Sequence, residues 1–272
     1  MSYSLTASLV VYNSPVGFFY PAVKSYLSGT HDGVLVISDN SDNRLVDDFL
    51  KEPRLKYIYN NSNLGFGAAH NAAIFSLRPV SDFHLILNPD VVFDAEVIGR
   101  LAEVLKGNPS IGALMPKIVY PDGSLQRLCK LLPSPVDLLL RRFVPIPSVQ
   151  SWINNRYEMH GLAHRGLVEV PSLSGCFLMV RTELFIKIGG FDERFFMYLE
   201  DVDLVRRIGE VATVAYYADV SVTHAYMKGS YRNKKLLMYH IYSAFRYFCK
   251  WGWFFDRGRS NRNKNTSREI RF

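Results

Sequence analysis

Short apolar runs alternate with amphipathic stretches over the first 120 residues. Leu5–Val11 is a nearly continuous apolar run, as expected of a strand covered on both faces. Val16–Ser28 fits a helix, Val34–Ser38 a second strand and Leu55–Tyr59 a third. Gly67–Leu77 reads as a helix and His84–Leu87 as a fourth strand. Ala95–Lys106 sets Val97, Leu101, Val104 and Leu105 on one helical face, and Gly107 follows as a stop signal. This alternation predicts an α/β fold with a mostly parallel sheet flanked by helices.

The pattern changes after the turn signal Tyr120-Pro121-Asp122-Gly123. Residues 128–168 hold several prolines and predict a flexible, irregular loop region. Val168–Val180 reads as one long strand, Thr182–Ile188 as a short helix, Asp201–Ile208 as another and Thr213–Tyr217 as a strand. Lys234–Trp251 predicts a longer helix. The expected organisation is a catalytic domain over 1–226, a basic aromatic helical appendage over 227–255 and a flexible basic tail over 256–272.

Composition narrows the classes. Three widely spaced cysteines, Cys129, Cys176 and Cys249, form no CxxC pair, so they indicate neither a disulfide framework nor a zinc knuckle. The run after Met1 reads as a first strand, not a signal peptide, and no stretch is long and apolar enough to span a bilayer. The net charge of +7 is unevenly placed: residues 1–226 carry −3 and residues 227–272 carry +10. A protein that wraps nucleic acid would spread base over its folded face, so no nucleic-acid partner is expected. The appendage interleaves Phe245, Tyr247, Phe248, Trp251, Trp253, Phe254 and Phe255 with basic residues. That mixture suits an anionic membrane surface; it equally suits a helix packed on the domain with a solvated end.

Three polar clusters fall at predicted strand ends: Tyr12-Asn13-Ser14-Pro15, Asp39-Asn40-Ser41-Asp42 and Asn88-Pro89-Asp90. Each alone is also ordinary turn chemistry. In an open parallel sheet, however, ligands bind outside the carboxyl ends of the strands. Asn63-Leu64-Gly65-Phe66-Gly67-Ala68-Ala69-His70-Asn71 enters a helix whose first N–H groups can face phosphate. The glycines come too late for a dinucleotide fingerprint after the first strand, which disfavours a nicotinamide oxidoreductase. Asp90 offers a hard oxygen ligand for a cation on a diphosphate. Glu200, Asp201 and Asp203 crowd one helix start beside aromatics. Acids suit that position electrostatically, and crowding also raises a carboxyl toward general-base duty. His160 and His164 lack a third partner and read as surface histidines.

Ser174-Gly175-Cys176-Phe177, Gly189-Gly190-Phe191-Asp192-Glu193 and Tyr198-Leu199-Glu200-Asp201-Val202-Asp203-Leu204 together resemble glycosyltransferase family 2. With Asn63-x-Gly65-Phe66-Gly67, Leu87-Asn88-Pro89-Asp90, Pro121-Asp122-Gly123-Ser124 and His224, the order is most similar to the bacterial rhamnosyltransferase-like branch, over residues 5 to 250. The resemblance implies a GT-A fold and an inverting mechanism. It implies nucleoside contacts from Tyr12, Asn13 and Asp39, and donor contacts from Asn63, Gly65, Gly67, Asn71 and Asn88. It implies Mg2+ or Mn2+ on Asp90, with His224, followed by Gly229-Ser230, touching metal or diphosphate. Asp201 becomes the general base, supported by Glu200 and Asp203. Many members carry Asp where this chain has Asn88, which bears on the metal. The branch implies dTDP-rhamnose as donor, a lipid-linked saccharide as acceptor and a peripheral place on the cytoplasmic face of the bacterial inner membrane. The acceptor, linkage and oligomeric state are not encoded in these motifs. Another nucleotide-sugar donor, or a non-catalytic membrane-associated nucleotide-binding protein, are the competing readings.

Overall fold

The computed structural model describes residues 3–140, 147–162, 166–225 and 234–269. Its centre is one nine-stranded sheet. Strands β1 (Leu5–Val11), β2 (Val34–Asp39), β3 (Leu55–Tyr59) and β4 (Phe83–Leu87) lie in the order β3-β2-β1-β4, all parallel. Helices α1 (Val16–Ser28) and α2 (Phe66–Phe75) make the crossovers next to β1 and β2. The strands read as continuous apolar runs because helices cover both faces; Leu9, Leu35, Ile37 and Leu85 are fully buried.

The rest of the sheet is mixed, in keeping with the change of pattern after residue 120. After β5 (Val91–Val92), α3 (Glu96–Gly107) and β6 (Ile111–Val119), the chain runs through a π-helical turn at Val136–Leu140 and helix α4 (Pro147–Tyr157). Then come β7 (Leu167–Glu169), β8 (Phe177–Arg181), α5 (Thr182–Lys187), α6 (Glu200–Ile208) and β9 (Thr213–His224). Strand β8 inserts antiparallel between β4 and β6, and β9 runs parallel to β6. The far edge of β9 pairs antiparallel with β7 through Ala215–Tyr217 and with β5 through Thr223 and His224.

The single strand expected over 168–180 is therefore two strands at different places in the sheet. Pro171, which has no N–H to donate, lies in the crossing segment between them. Residues 128–168, expected to be irregular, contain α4, with Pro147 at its first position and Ile153 and Tyr157 buried.

The C-terminal region is a helical pair, α7 (Lys234–Trp251) and α8 (Arg257–Glu269). The described part of the expected flexible tail is thus a packed helix, with Asp256, Arg259 and Thr266 buried. Polar anchors hold it. Arg206 makes a bidentate, buried ion pair with Asp256, at 2.7 Å for both bonds. Asn263 exchanges two hydrogen bonds of 2.9 Å with the backbone of Leu132. Helix α7 packs Ala244, Tyr247 and Phe248 against Phe195 and Leu199 in a second small core. The boundary placed at 226/227 and the Gly229-Ser230 pair lie outside the described residues, as do His164 and residues 270–272.

Candidate active site

The switch in strand order falls between β1 and β4, the place where open sheets of this kind bind ligands outside the carboxyl ends. The amino end of antiparallel β8 meets this same edge: Asn88 N–H donates to the Cys176 carbonyl at 2.8 Å. The carboxyl end of β9 arrives there too, because Val91 pairs with His224. Asn13, Asp39, Asn88, Asp90, Gly175 and His224 thus share one sheet edge through backbone topology alone.

On the cation side, His224 Nε2 lies 3.2 Å from Asp90 Oδ1. Gln126 sets the ring. Its Nε2 donates to the His224 carbonyl, so its Oε1 must accept, and it does so from His224 Nδ1 at 2.9 Å. Nδ1 therefore carries a proton and Nε2 faces Asp90. Burial disfavours a charged imidazole, but Asp90 and the Cys176 sulfur outweigh it and push His224 up to about 10. Among the described residues, no three His, Cys, Asp or Glu side chains converge as a metal cage. Asp90, and His224 once a cation displaces its Nε2 proton, fit a cation shared with a ligand's oxygens, not one enclosed by protein. The Asn88 side chain is half-buried at the same turn.

On the acid side, half-buried Asp201 is held by two backbone donors: Gly175 N–H to Oδ2 at 3.0 Å and Val202 N–H to Oδ1 at 2.8 Å. Burial raises its pKa; those hydrogen bonds and the charge of Lys130 act against the rise. Lys130 is brought near by its own backbone, which donates to Ser172 at 3.3 Å. A Cβ on Gly175 would come 3.1 Å from Asp201 Cβ and 3.3 Å from Phe66, so glycine permits the close approach. Glu200 is buried next door, and burial together with the Asp201 charge pushes its carboxyl well up, toward the neutral form. Tyr198 and Leu199 precede them with φ of 70° and 65°. Such left-handed non-glycine residues cost about 1–3 kcal/mol each and persist only where surroundings hold them. Here α7 does so: Ser243 Oγ donates to the Met197 carbonyl at 2.8 Å, and Tyr239 and His240 stack on Phe196 and Tyr198.

Three candidates are braces in this structure. Asp39 is fully buried; it accepts from Ser41 N–H at 2.8 Å, Leu45 N–H at 3.3 Å and Tyr57 OH at 2.6 Å, leaving no exposed oxygen for a nucleoside. Asn71 is buried and clamps the Phe191 backbone in both directions at 2.9 Å. Asp203 is fully buried beneath Arg207 at 2.8 Å, Lys250 at 2.7 Å and Trp251 Nε1 at 2.8 Å, which ties α6 to α7. The glycines also serve close packing: a Cβ on Gly65, whose φ is +88°, would run into the Phe196 carbonyl, and one on Gly67 would lie 2.8 Å from Phe191 Cβ. Asn63 Oδ1 accepts from Gly65 N–H at 3.0 Å and shapes that turn, with Asn40 and Asn60 behind it. Tyr12 is left open at the edge, 46% exposed, and Asn13, with φ of 47°, is pinned to Ser41 and Asp42.

The chain is similar to proteins of known activity. An N-acetylglucosaminyl-diphospho-decaprenol L-rhamnosyltransferase of Mycobacterium tuberculosis is 34% identical over 180 residues, covering 61% of this chain and 56% of that protein. The match thus spans little more than half the length of that relative. Rhamnosyltransferase WbbL of Escherichia coli K12 is 26% identical over 243 residues, covering 84% and 85% of the two chains. Among solved structures, S. aureus TarS 1–349 in complex with UDP superposes with a TM-score of 0.59 at 15% identity, over 88% of this chain and 65% of that one. GalNAc-T7 with UDP, GalNAc and Mn2+ gives a TM-score of 0.59 at 13% identity, over 82% and 44%. These likenesses establish the GT-A fold expected from the motifs. The model of Glycosyl transferase family 2 matches residues 8–189, and this chain belongs to that family.

Proposed function

We propose that this protein is an inverting glycosyltransferase that moves rhamnose from dTDP-rhamnose onto a lipid-linked saccharide, in the synthesis of an O-antigen or cell-wall polysaccharide. The observation that carries the reading is Asp201, a half-buried carboxylate of raised pKa held by Gly175 N–H on the sheet edge that also carries Asp90 and His224. The names of the rhamnosyltransferase relatives favour the sugar, and the decaprenol-linked substrate named for one of them favours a lipid carrier.

In this mechanism Asp201 takes the proton from an acceptor hydroxyl as its oxygen attacks the anomeric carbon. The bond from that carbon to the nucleoside diphosphate breaks on the opposite face. Mg2+ or Mn2+, held by Asp90 and His224, would supply positive charge where the departing diphosphate gains negative charge. Solved relatives of the fold hold Mn2+ with their nucleotides, which supports the assignment. Burial and the Asp201 charge push Glu200 toward its neutral form, which lessens the negative charge beside the base. Tyr12 offers an open ring for the nucleoside.

Among the described residues no helix is long and apolar enough to cross a membrane. A peripheral position on the cytoplasmic face of the inner membrane is consistent with a lipid-linked acceptor. The test is a donor panel of dTDP-rhamnose, UDP-glucose, UDP-N-acetylglucosamine and GDP-mannose, read by product mass with a soluble acceptor analogue. Transfer from dTDP-rhamnose supports the reading. Transfer only from a UDP- or GDP-sugar replaces the donor and keeps the mechanism, and a second reading of this kind is favoured by the UDP and GDP-Man complexes of the neighbours.

A further inference from the structure

Helix α7 is apolar on two opposite faces. Its inward face, Ala244, Tyr247 and Phe248, packs on the catalytic domain. Its outward face carries Met238, Ile241, Tyr242 and Phe245, spaced i, i+3, i+4 and i+7 as one continuous stripe. These four side chains are 63%, 42%, 51% and 56% exposed. Phe254 and Phe255, in the turn to α8, are exposed as well, at 74% and 98%. A stripe of this length in water is a docking surface by its chemistry, since isolated exposed apolar residues are common and aligned ones are not.

Charge identifies the occupant. Residues 234–269 contain nine Lys and Arg against Asp256 and Glu269 alone, and Lys234, Lys235, Arg257, Lys264 and Arg268 are exposed. A second copy of this chain would set two such basic surfaces against each other, so self-pairing is opposed by its own field. A cleft of about 210 Å3 adjoins the stripe, with Arg194, Arg246 and Lys250 on its walls beside Phe195 and Phe245. Arg246 donates to the Tyr242 hydroxyl, and Arg194 and Lys250 donate to Asp192, which leaves each guanidinium with further N–H groups at the cleft. Aromatic and aliphatic side chains rimmed by cations match the boundary between headgroups and acyl chains in an anionic bilayer.

We propose that the outward face of α7, with Phe254 and Phe255, seats this protein on an anionic phospholipid bilayer, with Arg194 and Arg246 taking headgroup phosphates at its rim. The proposal deepens the transferase reading and rests on it for its purpose. The opposite side of the same helix holds the 196–199 segment through Tyr239, His240 and Ser243. Seating α7 on lipid therefore leaves the 196–199 segment, and Asp201 after it, about one helix diameter (~10 Å) from the bilayer surface. Trp251 is not part of this surface: its ring lies 3.9 Å from Arg206 Cζ and its Nε1 donates to Asp203.

The experiment is co-sedimentation of the full chain with vesicles of phosphatidylglycerol and phosphatidylcholine, and of phosphatidylcholine alone, at low and high salt. The parent is expected to bind the anionic vesicles, weakly retain them at high salt and bind neutral vesicles poorly. Ile241→Ser with Phe245→Ser is expected to keep its melting temperature and lose about tenfold in vesicle affinity per side chain. Arg194→Gln with Arg246→Gln is expected to lose the low-salt part alone. Failure of the parent to bind anionic vesicles overturns the proposal. So does equal binding by the Ile241/Phe245 variant, or a parent dimer that this variant splits while vesicle binding is unchanged. Transfer to a soluble acceptor is measured alongside and is expected to be unaltered. If parent and variants alike fail to transfer any sugar, the reaction is misread while the vesicle result stands by itself.

Discussion

His224 Nε2 points at Asp90 Oδ1 across 3.2 Å, with Gln126 locking the far side of the ring. The three side chains come from a loop after β6, the end of β4 and the end of β9. Asp90→Ala is expected to weaken donor binding mainly when Mg2+ or Mn2+ is present. Calorimetric titration of donor with metal and with chelator measures this, and equal loss in both would make Asp90 a direct or structural contact. Gln126→Leu frees the imidazole and is expected to cost about 10–100-fold in metal-dependent affinity, as outer partners of ligating histidines do.

Gly175 is the acid's anchor. Its N–H holds Asp201, and its missing side chain leaves room for the approach. Gly175→Ala is expected to lower kcat by at least about tenfold with donor affinity little changed, because misplacement of a base acts on the transition state. Steady-state kinetics alongside donor titration checks the split.

Asp203 sits only two residues from the base and has a different job. Its carboxylate is shared by Arg207, Lys250 and Trp251 in full burial. Asp203→Ala is expected to cost about 1–3 kcal/mol of stability, because Trp251 Nε1 loses its acceptor while Lys250 keeps Asp192 and Arg207 keeps the Ile188 and Gly190 carbonyls. Denaturant unfolding measures it, and the folded fraction should keep its turnover.

The pH dependence of kcat/KM reports the base. Burial is the leading influence on Asp201 and raises its pKa, so the ionised, active form is lost at a higher pH than for a free Asp. Activity is expected to rise with pH through an inflection above the usual aspartate value of about 3.9. Lys130→Met removes an opposing charge and is expected to move that inflection further up.

Much of the first half was legible in the sequence. The predicted bounds of β1, α1 and β3 coincide with those observed, and β1, buried between helices, reads as a continuous apolar run. Strand β6 was not legible: Gly112 and Pro116 interrupt its pattern. The structure accommodates them, Gly112 under Leu184 and Ala212, and Pro116 at a register shift against β9. Helix α8 carries almost no apolar face, so periodicity gives no sign of it; Arg206–Asp256 and Asn263 hold it instead.

The candidate site divides in the same way. Motif order singles out Asp90, Asp201 and His224 as candidates, and the sheet brings Asp90 and His224 together. Asp39, Asn71 and Asp203 look alike in sequence but are turned inward by partners distant in the chain, which no local pattern encodes. Gly175 and Gln126 act through backbone N–H and amide geometry, and their positions carry no charge to flag them.

The most direct test of the account is Asp201→Asn. The amide keeps the shape and loses the basicity, so transfer should fall by about 10²–10⁴ while donor binding stays near the parent's. Single-turnover transfer from dTDP-rhamnose, measured with donor affinity on the same preparation, gives both numbers. Near-normal transfer by Asp201→Asn, with loss instead in Glu200→Gln, would contradict the assignment of the base.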